Sequence, residues 1–262
     1  MSYFPILKAP YCFGQTTLYN FSPNNWESFN KSDKYVSLTY LKSGLWYSKT
    51  LDTLEYLQCR AVNYKEIDRL VSAESLPLLS LSDEPLPKTS KRLPIPLMSK
   101  TSVPNYRASL SLVSEHTSTN YQGEVDPFPP QASLITFSPF LQFGENIENY
   151  LLLINIEKQA VVCEAVVEIY DSKSRKLKST FKANSNNISI ISLDNLGFDK
   201  NSLPVVICRT MAAIPLYFSC ANKGESLSLE HTHPPASMVV HGNRFGAQKY
   251  LKEYWLSQCQ IS

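Results

Sequence analysis

The tripeptide Glu-His-Thr occurs twice in this chain, at residues 115–117 and 230–232. The histidines of the chain lie within these two copies or shortly after the second one. They are His116, His231, His233 and His241. Histidine is the side chain best suited to proton transfer and metal binding near neutral pH. We therefore expect any such chemistry to occur at these positions.

The spacing around the two copies is that of β-strands, in which alternate residues share a face. In the second copy, His231 and His233 share the face of the preceding leucines. In the first copy, His116 also follows the leucine face, because the two extra residues Val113-Ser114 equal one strand period. We therefore expect both copies to end neighbouring strands and to line one pocket at an end of a β-sandwich.

The first interpretation of this pocket is a metal site. A His-x-His pair on one face of a curved strand can hold a single ion, and these residues would be His231 and His233. A third nitrogen would come from His241 or His116. The cofactor would then be a divalent metal such as Zn, Fe or Mn, with a glutamate of either copy as an oxygen ligand or as an acceptor behind the histidines.

The segment 224–233 resembles the start of the cupin metal motif, which is a His-x-His on a jelly-roll strand. Where cupins continue to a glutamate, this chain has Pro234-Pro235. The resemblance implies a mononuclear metal-dependent enzyme that uses the histidine pair. Its catalytic candidates are His231 with Glu230 or Glu115 as the base.

The second interpretation is a metal-free pocket that binds a small polar ligand, with or without turnover. Asn243 is a good N-cap, and the helix after it would expose free backbone N–H groups in its first turn. Together with His241, Arg244 and Lys249, and with His116 from the first copy, these groups would bind an oxyanion. Histidines and tyrosine-rich loops also suit a glycan, through ring stacking and hydrogen bonds.

The third interpretation makes the histidines incidental. They would only hydrogen-bond loop carbonyls, with Glu115 and Glu230 as salt-bridge partners, in a non-catalytic assembly or interaction protein. A bound metal, a close approach of His116 to His231, and concentration-dependent self-association are the observations that distinguish the three interpretations.

Three weaker features also carry charge. Residues 88–92, which end in Arg92, form a short basic cluster in a Pro-rich stretch and are typical of a solvated linker. Glu124 and Asp126 could do acid–base work as a pair, although an aspartate directly before proline is more typical of a turn. Arg209 ends an apolar run, where it either caps a strand face or reaches an anion.

Composition narrows the class of protein. Hydrophobic residues make up 43% and charged residues 18%, so there is enough apolar material for a core and global disorder is not expected. The net charge of +2 and the scattered basic residues argue against a nucleic-acid partner. The apolar runs are too short to span a membrane, and the first residues lack the pattern of a secretory signal.

The six cysteines are far apart and include no C-x-x-C pair. This spacing fits neither a disulfide framework nor a zinc site. Cys163 and Cys208 lie in Val/Ile-rich runs, so we expect them to be small buried hydrophobes. The pattern predicts a reducing, cytoplasmic location.

We expect a mainly β protein in four parts. Residues 1–75 form a mixed α/β N-terminal region, and residues 76–105 form a Pro-rich extended strap. Residues 106–242 form an antiparallel β-sandwich of jelly-roll type, and residues 243–262 form a C-terminal helix packed on it. The leucines of the strap make it too apolar for a solvated linker, so we expect it to wrap the sandwich.

Local patterns predict the individual elements. Asp52 and Asn63 each stand three residues before a glutamate, the capping-box spacing, which predicts two short helices. Residues 161–170 alternate as a strand, and residues 176–183 return as its hairpin partner. The other predicted strands are 108–114, 133–143, 150–157, 188–193, 204–209, 214–220, 227–233 and 237–241.

Overall fold

The computed structural model describes residues 3–20, 32–71, 75–96, 108–138, 141–231, 253–254 and 257–259. Within these residues the chain is mainly β, with antiparallel strand pairing. The strands are β1 (Phe4–Pro5), β2 (Lys8–Ala9), β3 (Cys12–Tyr19), β4 (Lys34–Lys42), β5 (Leu45–Leu54), β6 (Cys59–Asn63), β7 (Leu78–Ser82), β8 (Thr89–Ser90), β9 (Ala108–Val113), β10 (Ser118–Gln122), β11 (Leu134–Phe137), β12 (Ile147–Asn155), β13 (Glu164–Asp171), β14 (Leu177–Asn184), β15 (Asn187–Ser192), β16 (Pro204–Cys208), β17 (Ile214–Ala221) and β18 (Ser226–His231). A short helix, α1 (Tyr64–Ile67), follows β6.

The strands form four sheets. Sheet 1 has the order β1-β7-β4-β5-β8, and sheet 2 has the order β10-β9-β3-β2, with β6 also paired to β3. Sheet 3 has the order β11-β16-β13-β14, and sheet 4 has the order β15-β12-β17-β18. Sheets 1 and 2 therefore collect the first ten strands, and sheets 3 and 4 collect the last eight.

Three clusters of buried apolar residues hold these sheets together, and the two larger ones are called the first and second cores. The second core lies between sheets 3 and 4, where Leu151 and Leu153 of β12 meet Val167 and Ile169 of β13. Two facing sheets that share one core support the predicted β-sandwich, while its jelly-roll connectivity stays a prediction. The first core combines buried residues of sheets 1 and 2 with the opposite face of sheet 4.

Sheet 4 is buried on both faces, which explains the unbroken apolar run at residues 150–154. Leu151 and Leu153 belong to the second core, whereas Leu152 and Ile154 belong to the first. A strand with two buried faces loses the alternation of apolar and polar residues and becomes a continuous apolar run. The two halves of the chain are thus joined through a shared sheet.

The prediction for the hairpin at residues 161–183 is confirmed, with one exception. β13 pairs antiparallel with β14, and Ala165, Val167 and Ile169 are buried on one face as expected. Cys163, which we expected on this buried face, is exposed because β13 begins one residue later, at Glu164. Cys208 is fully buried, as predicted.

The N-terminal half contains more strand than the sequence predicts. Asn63 caps α1 by accepting a hydrogen bond from the Glu66 backbone N–H at 3.0 Å, so the predicted helix after Asn63 is confirmed. The helix predicted after Asp52 is wrong. β5 continues through Leu54 because its whole length pairs with β4, and this ladder outweighs the local capping signal.

The strands of the strap and of the predicted sandwich pair with other strands than expected. Within the strap, β7 lies between β1 and β4 in sheet 1, and all five of its residues are buried. β9, which we predicted as the first strand of a sandwich starting at residue 106, pairs instead with β3. A strand pattern predicts the strand but not its partner, since pairing depends on residues far away in sequence.

The C-terminal helix predicted for residues 243–262 and the strand predicted for residues 237–241 lie largely or wholly outside the described residues. The described part of the chain contains no helix with the length and apolar character needed to cross a lipid bilayer.

Candidate functional site

The first Glu-His-Thr copy forms a turn and not a strand end. β9 ends at Val113, and the Ser114 hydroxyl accepts hydrogen bonds from the backbone N–H groups of His116 at 3.3 Å and Thr117 at 3.1 Å. Serine commonly closes turns in this way. Glu115 and His116 are exposed at the tip of the β9–β10 hairpin. The prediction for His116 depends on the alternation of faces along a strand, and this alternation ends with β9, before His116.

The second copy continues a strand, as predicted. β18 runs to His231, and Leu229 on the same face is buried in the first core. The His231 ring is half-buried, with its Nδ1 3.0 Å from the Pro215 carbonyl oxygen and its centroid 5.2 Å from that of Tyr121. Glu230, on the opposite face, is exposed.

The two copies lie on neighbouring hairpins but not at one point. The Ser114 hydroxyl donates to the Gly224 carbonyl at 2.6 Å, so the β9–β10 turn contacts the β17–β18 turn. His231 lies at the other end of β10, beside Tyr121, which is the fourth residue of that strand. The three strand steps from Ser118 to Tyr121 span ~10 Å. The structure therefore does not bring His116 and His231 together.

The remaining predicted ligands, His233, His241, Asn243, Arg244 and Lys249, lie outside the described residues. Among the residues that are described, no group of three or more His, Cys, Asp or Glu side chains could hold a metal ion. Arg209 does not reach a pocket anion. Its guanidinium binds both carboxylate oxygens of Glu168, at 3.0 and 3.2 Å through Nε, and donates to the Cys259 carbonyl at 2.9 Å.

A cavity of about 430 Å³ lies between segments that adjoin strands of sheets 1, 2 and 4. We name it the junction cavity. Its polar lining residues are Tyr3, Arg92, Asp126 and Lys158. Its apolar lining residues are Leu93, Pro94, Ile95 and Pro127. Its volume is typical of sites that bind small molecules.

Backbone hydrogen bonds fix the segments that form the junction cavity. Tyr3 and Val125 exchange two of them, at 2.8 and 3.2 Å. The Leu93 N–H donates to the Lys158 carbonyl at 2.7 Å, and the Phe128 N–H donates to the Ile156 carbonyl at 2.8 Å. Main-chain contacts therefore hold the cavity walls before any ligand enters. Such preorganisation lowers the entropic cost of binding.

The charges of the junction cavity lie on exposed side chains. Arg92 and Lys158 are exposed and, among the described residues, form no ion pair. Asp126 contributes the carboxylate, and desolvation, with a smaller effect from the Glu124 carboxylate, raises its pKa above the usual range. The two cations exceed the single carboxylate, so the lining favours an anion.

Tyr3 differs from these charged residues because it is 1% exposed. Its hydroxyl is buried and has no hydrogen-bond partner among the described residues. Burial raises the pKa of Tyr3, so the hydroxyl stays neutral at physiological pH. Buried polar groups are nearly always paired in native proteins. The hydroxyl oxygen is closed off from solvent, as are the unpartnered polar atoms of Ser37 and Ser80, so a ligand in the cavity does not reach it.

Two of the cavity residues carry a sequence signal, but it predicts other roles for them. The basic cluster that contains Arg92 is typical of a solvated linker, and an aspartate before proline, such as Asp126, is typical of a turn. Tyr3 and Lys158 carry no sequence signal, since the four positions are spread over more than half of the chain with no common spacing.

Comparison of the chain with known proteins finds no matching family model, curated protein or solved structure.

Proposed function

We propose that the protein binds a small ligand bearing an anionic group, and that the ligand occupies the junction cavity. The observation that carries this proposal is the pair of exposed cations, Arg92 and Lys158, which line a preformed cavity and form no ion pair among the described residues. The ligand class is the oxyanion class predicted from the sequence. The site differs from the predicted histidine pocket.

The chemistry of the lining supports binding more directly than turnover. Among the described lining residues, Asp126 carries the one carboxyl group, and no histidine or cysteine of the described part of the chain lines the cavity beside it. Arginine and lysine both bind carboxylate and phosphate oxygens, arginine through a planar fork and lysine through a point charge. We therefore propose a ligand-binding role for this site.

The test is the binding of simple oxyanions to the full chain and to variants. Calorimetric titration with phosphate, sulfate and a set of carboxylates identifies the anions that bind. Arg92→Gln and Lys158→Gln are each expected to weaken binding about tenfold, since a charge-assisted hydrogen bond is lost. Lys91→Gln is the matched control, because Lys91 is also exposed and adjacent to Arg92 but is not among the lining residues of the cavity. Equal affinity in all three variants would contradict the proposal.

A second candidate function keeps the metal-dependent enzyme with His231 and His233. Its supporting observation is the contact between Nδ1 of His231 and the Pro215 carbonyl, because metal-binding histidines are commonly oriented by a backbone carbonyl on the other ring nitrogen. Elemental analysis of untagged protein tests it. Near-stoichiometric Zn, Fe or Mn that is lost in His231→Asn and retained in His116→Asn would support this candidate. Metal-free protein with no thermal shift on adding these ions would exclude it.

A further inference from the structure

The following inference rests on the proposed function and names the class of ligand. We infer that the junction cavity binds a free α-amino acid with an apolar side chain. Its carboxylate would bind Arg92 and Lys158, its ammonium group would bind Asp126, and its side chain would lie against the apolar wall that includes Pro94 and Pro127.

The lining of the junction cavity carries charges of both signs. Arg92 and Lys158 supply two cations, and Asp126 supplies one carboxylate. All three side chains are exposed, and none of them forms a salt bridge with another described residue. A simple carboxylic acid would use the two cations alone, whereas a zwitterion would also use the carboxylate. The charge pattern therefore favours a ligand that carries an anionic group and an ammonium group together.

The separation of the three charges suits an α-amino acid. Asp126 has no carboxylate oxygen within 4.0 Å of a side-chain nitrogen of Arg92 or Lys158, so a ligand can enter between them without breaking an ion pair. The nitrogen and the carboxylate of an α-amino acid are bonded to one carbon, and their polar atoms lie about 3 Å apart. With a hydrogen bond of about 2.8 Å at each end, such a ligand can join protein charges up to about 8 Å apart.

Asp126 already interacts favourably with an ammonium group. Desolvation raises the pKa of this carboxyl, the N-terminal ammonium of the chain lowers it, and the Glu124 carboxylate raises it by a smaller effect. The N-terminal ammonium thus acts in the direction expected of a positive charge near a carboxylate. The ammonium group of a ligand in the cavity would act on Asp126 in the same direction and would compete with the N-terminal one.

The apolar side chain of the ligand follows from the rest of the lining. Pro94 and Pro127 have no backbone N–H, because proline lacks this donor. The N–H of Leu93 is already used in its bond to the Lys158 carbonyl. Ile95, which is 54% exposed, adds an uncovered apolar side chain to the same wall. An apolar group of the ligand would remove this surface from water without leaving a backbone donor unpaired.

The volume of the cavity favours a larger amino acid over glycine or an inorganic ion. A volume of 430 Å³ equals that of about 14 water molecules in the liquid. Glycine or phosphate would fill only a small part of this space, and the apolar wall would stay in contact with water. A branched aliphatic side chain would displace that water, so we expect leucine to bind more tightly than glycine.

The probe is the free amino acid leucine, compared with three compounds that each lack one of its features. 4-Methylpentanoate lacks the ammonium group, 3-methylbutylamine lacks the carboxylate, and glycine lacks the apolar side chain. Calorimetric titration of the full chain is expected to rank leucine first. 4-Methylpentanoate should bind about tenfold more weakly, because one charge-assisted hydrogen bond is lost. Glycine and 3-methylbutylamine should also bind more weakly than leucine, by about tenfold or more.

Two variants and a matched control assign this ranking to individual residues. Asp126→Asn should make leucine and 4-methylpentanoate bind equally, because the partner of the ammonium group is removed. Arg92→Gln should weaken both of these compounds and should not weaken 3-methylbutylamine. Glu124→Gln is the control for Asp126, because Glu124 is also exposed and lies two residues away but is not among the lining residues. This variant should keep the advantage of leucine.

The outcomes separate this inference from the proposed function. If 4-methylpentanoate binds as tightly as leucine and Arg92→Gln weakens both, the anion site stands and the amino acid is refuted, since the N-terminal ammonium then satisfies Asp126. If Asp126→Asn keeps the advantage of leucine, or Glu124→Gln removes it, the role of Asp126 is refuted. If glycine binds as tightly as leucine, the apolar side chain is refuted. If none of these compounds and no simple oxyanion binds at concentrations up to about 10 mM, both proposals fail.

Discussion

Removing the hydroxyl of Tyr3 should stabilise the ligand-free protein, although most core substitutions destabilise. Tyr3 is 1% exposed and its hydroxyl lacks a partner among the described residues. A buried donor left unpaired costs roughly 1–3 kcal/mol. Tyr3→Phe removes this cost and keeps the ring, so we expect the free energy of unfolding to rise by about 1 kcal/mol or more.

Tyr170 provides the matched control because the same substitution should have the opposite sign there. Tyr170 is also fully buried, but its hydroxyl donates to the Glu168 carboxylate at 2.8 Å. A hydrogen bond to a charged group contributes about 1.5–3 kcal/mol, so Tyr170→Phe should lower the free energy of unfolding by that amount. The two variants should therefore differ by about 2.5 kcal/mol or more.

Urea denaturation followed by tryptophan fluorescence and circular dichroism measures both variants. For a chain of this size, 1 kcal/mol corresponds to a shift of about 2–4 °C in Tm, so thermal melts give an independent reading. Equal m-values would show that the surface exposed on unfolding is unchanged. If Tyr3→Phe destabilises the protein as much as Tyr170→Phe does, the Tyr3 hydroxyl has a partner and the reasoning about its unpaired burial is refuted.

Three further predictions test the framework around the site. Hydrogen bonds from the backbone N–H of Ser174 and from the Ser202 hydroxyl lower the pKa of Asp171 to about 2. The stability that Asp171 contributes, on the order of 2 kcal/mol, is thus present above pH 4 and lost as pH falls towards 2. Asp171→Asn should therefore show reduced stability at pH 7 but little difference at pH 2 in urea titrations. Gly14→Ala should cost several kcal/mol, because a Cβ there would lie 1.8 Å from the Leu7 carbonyl oxygen. Asp83→Ala should lower the free energy of unfolding by about 3–5 kcal/mol, because it leaves the buried Lys34 ammonium without its carboxylate. Adding Lys34→Met to the same chain should recover most of that loss.

The elements could be predicted from sequence where local signals agreed with tertiary pairing. β13 and β14 show regular alternation and a turn between them, so both strands and their pairing were found. The Asn63 cap was also found, because a cap depends on residues only three positions apart. The same signal at Asp52 failed, since the ladder with β4 is non-local and contributes more than one capping bond.

The site was harder to predict because its residues do not share an element. The doubled Glu-His-Thr suggested one pocket through strand parity, but parity holds only while the strand continues. Ser114 closes a turn, so His116 lies in this turn and not on a strand face, although both copies have the same Glu-His-Thr sequence. Tyr3, Arg92 and Lys158 meet only through backbone bonds between segments far apart in sequence, which no spacing rule describes.

The junction cavity lies between the two halves of the chain, so ligand binding there should affect how firmly the halves hold together. Sheet 4 contributes alternate residues of β12 to both cores, so the two halves share structure and are not independent units. Lys158 follows this same strand, whereas Tyr3 and Arg92 belong to the part of the chain that forms sheets 1 and 2. A ligand that binds Arg92 and Lys158 together therefore contacts both halves at once. Because such a ligand binds the assembled form alone, its binding energy adds to the stability of that form, by about 2.7 kcal/mol at a free concentration one hundred times Kd.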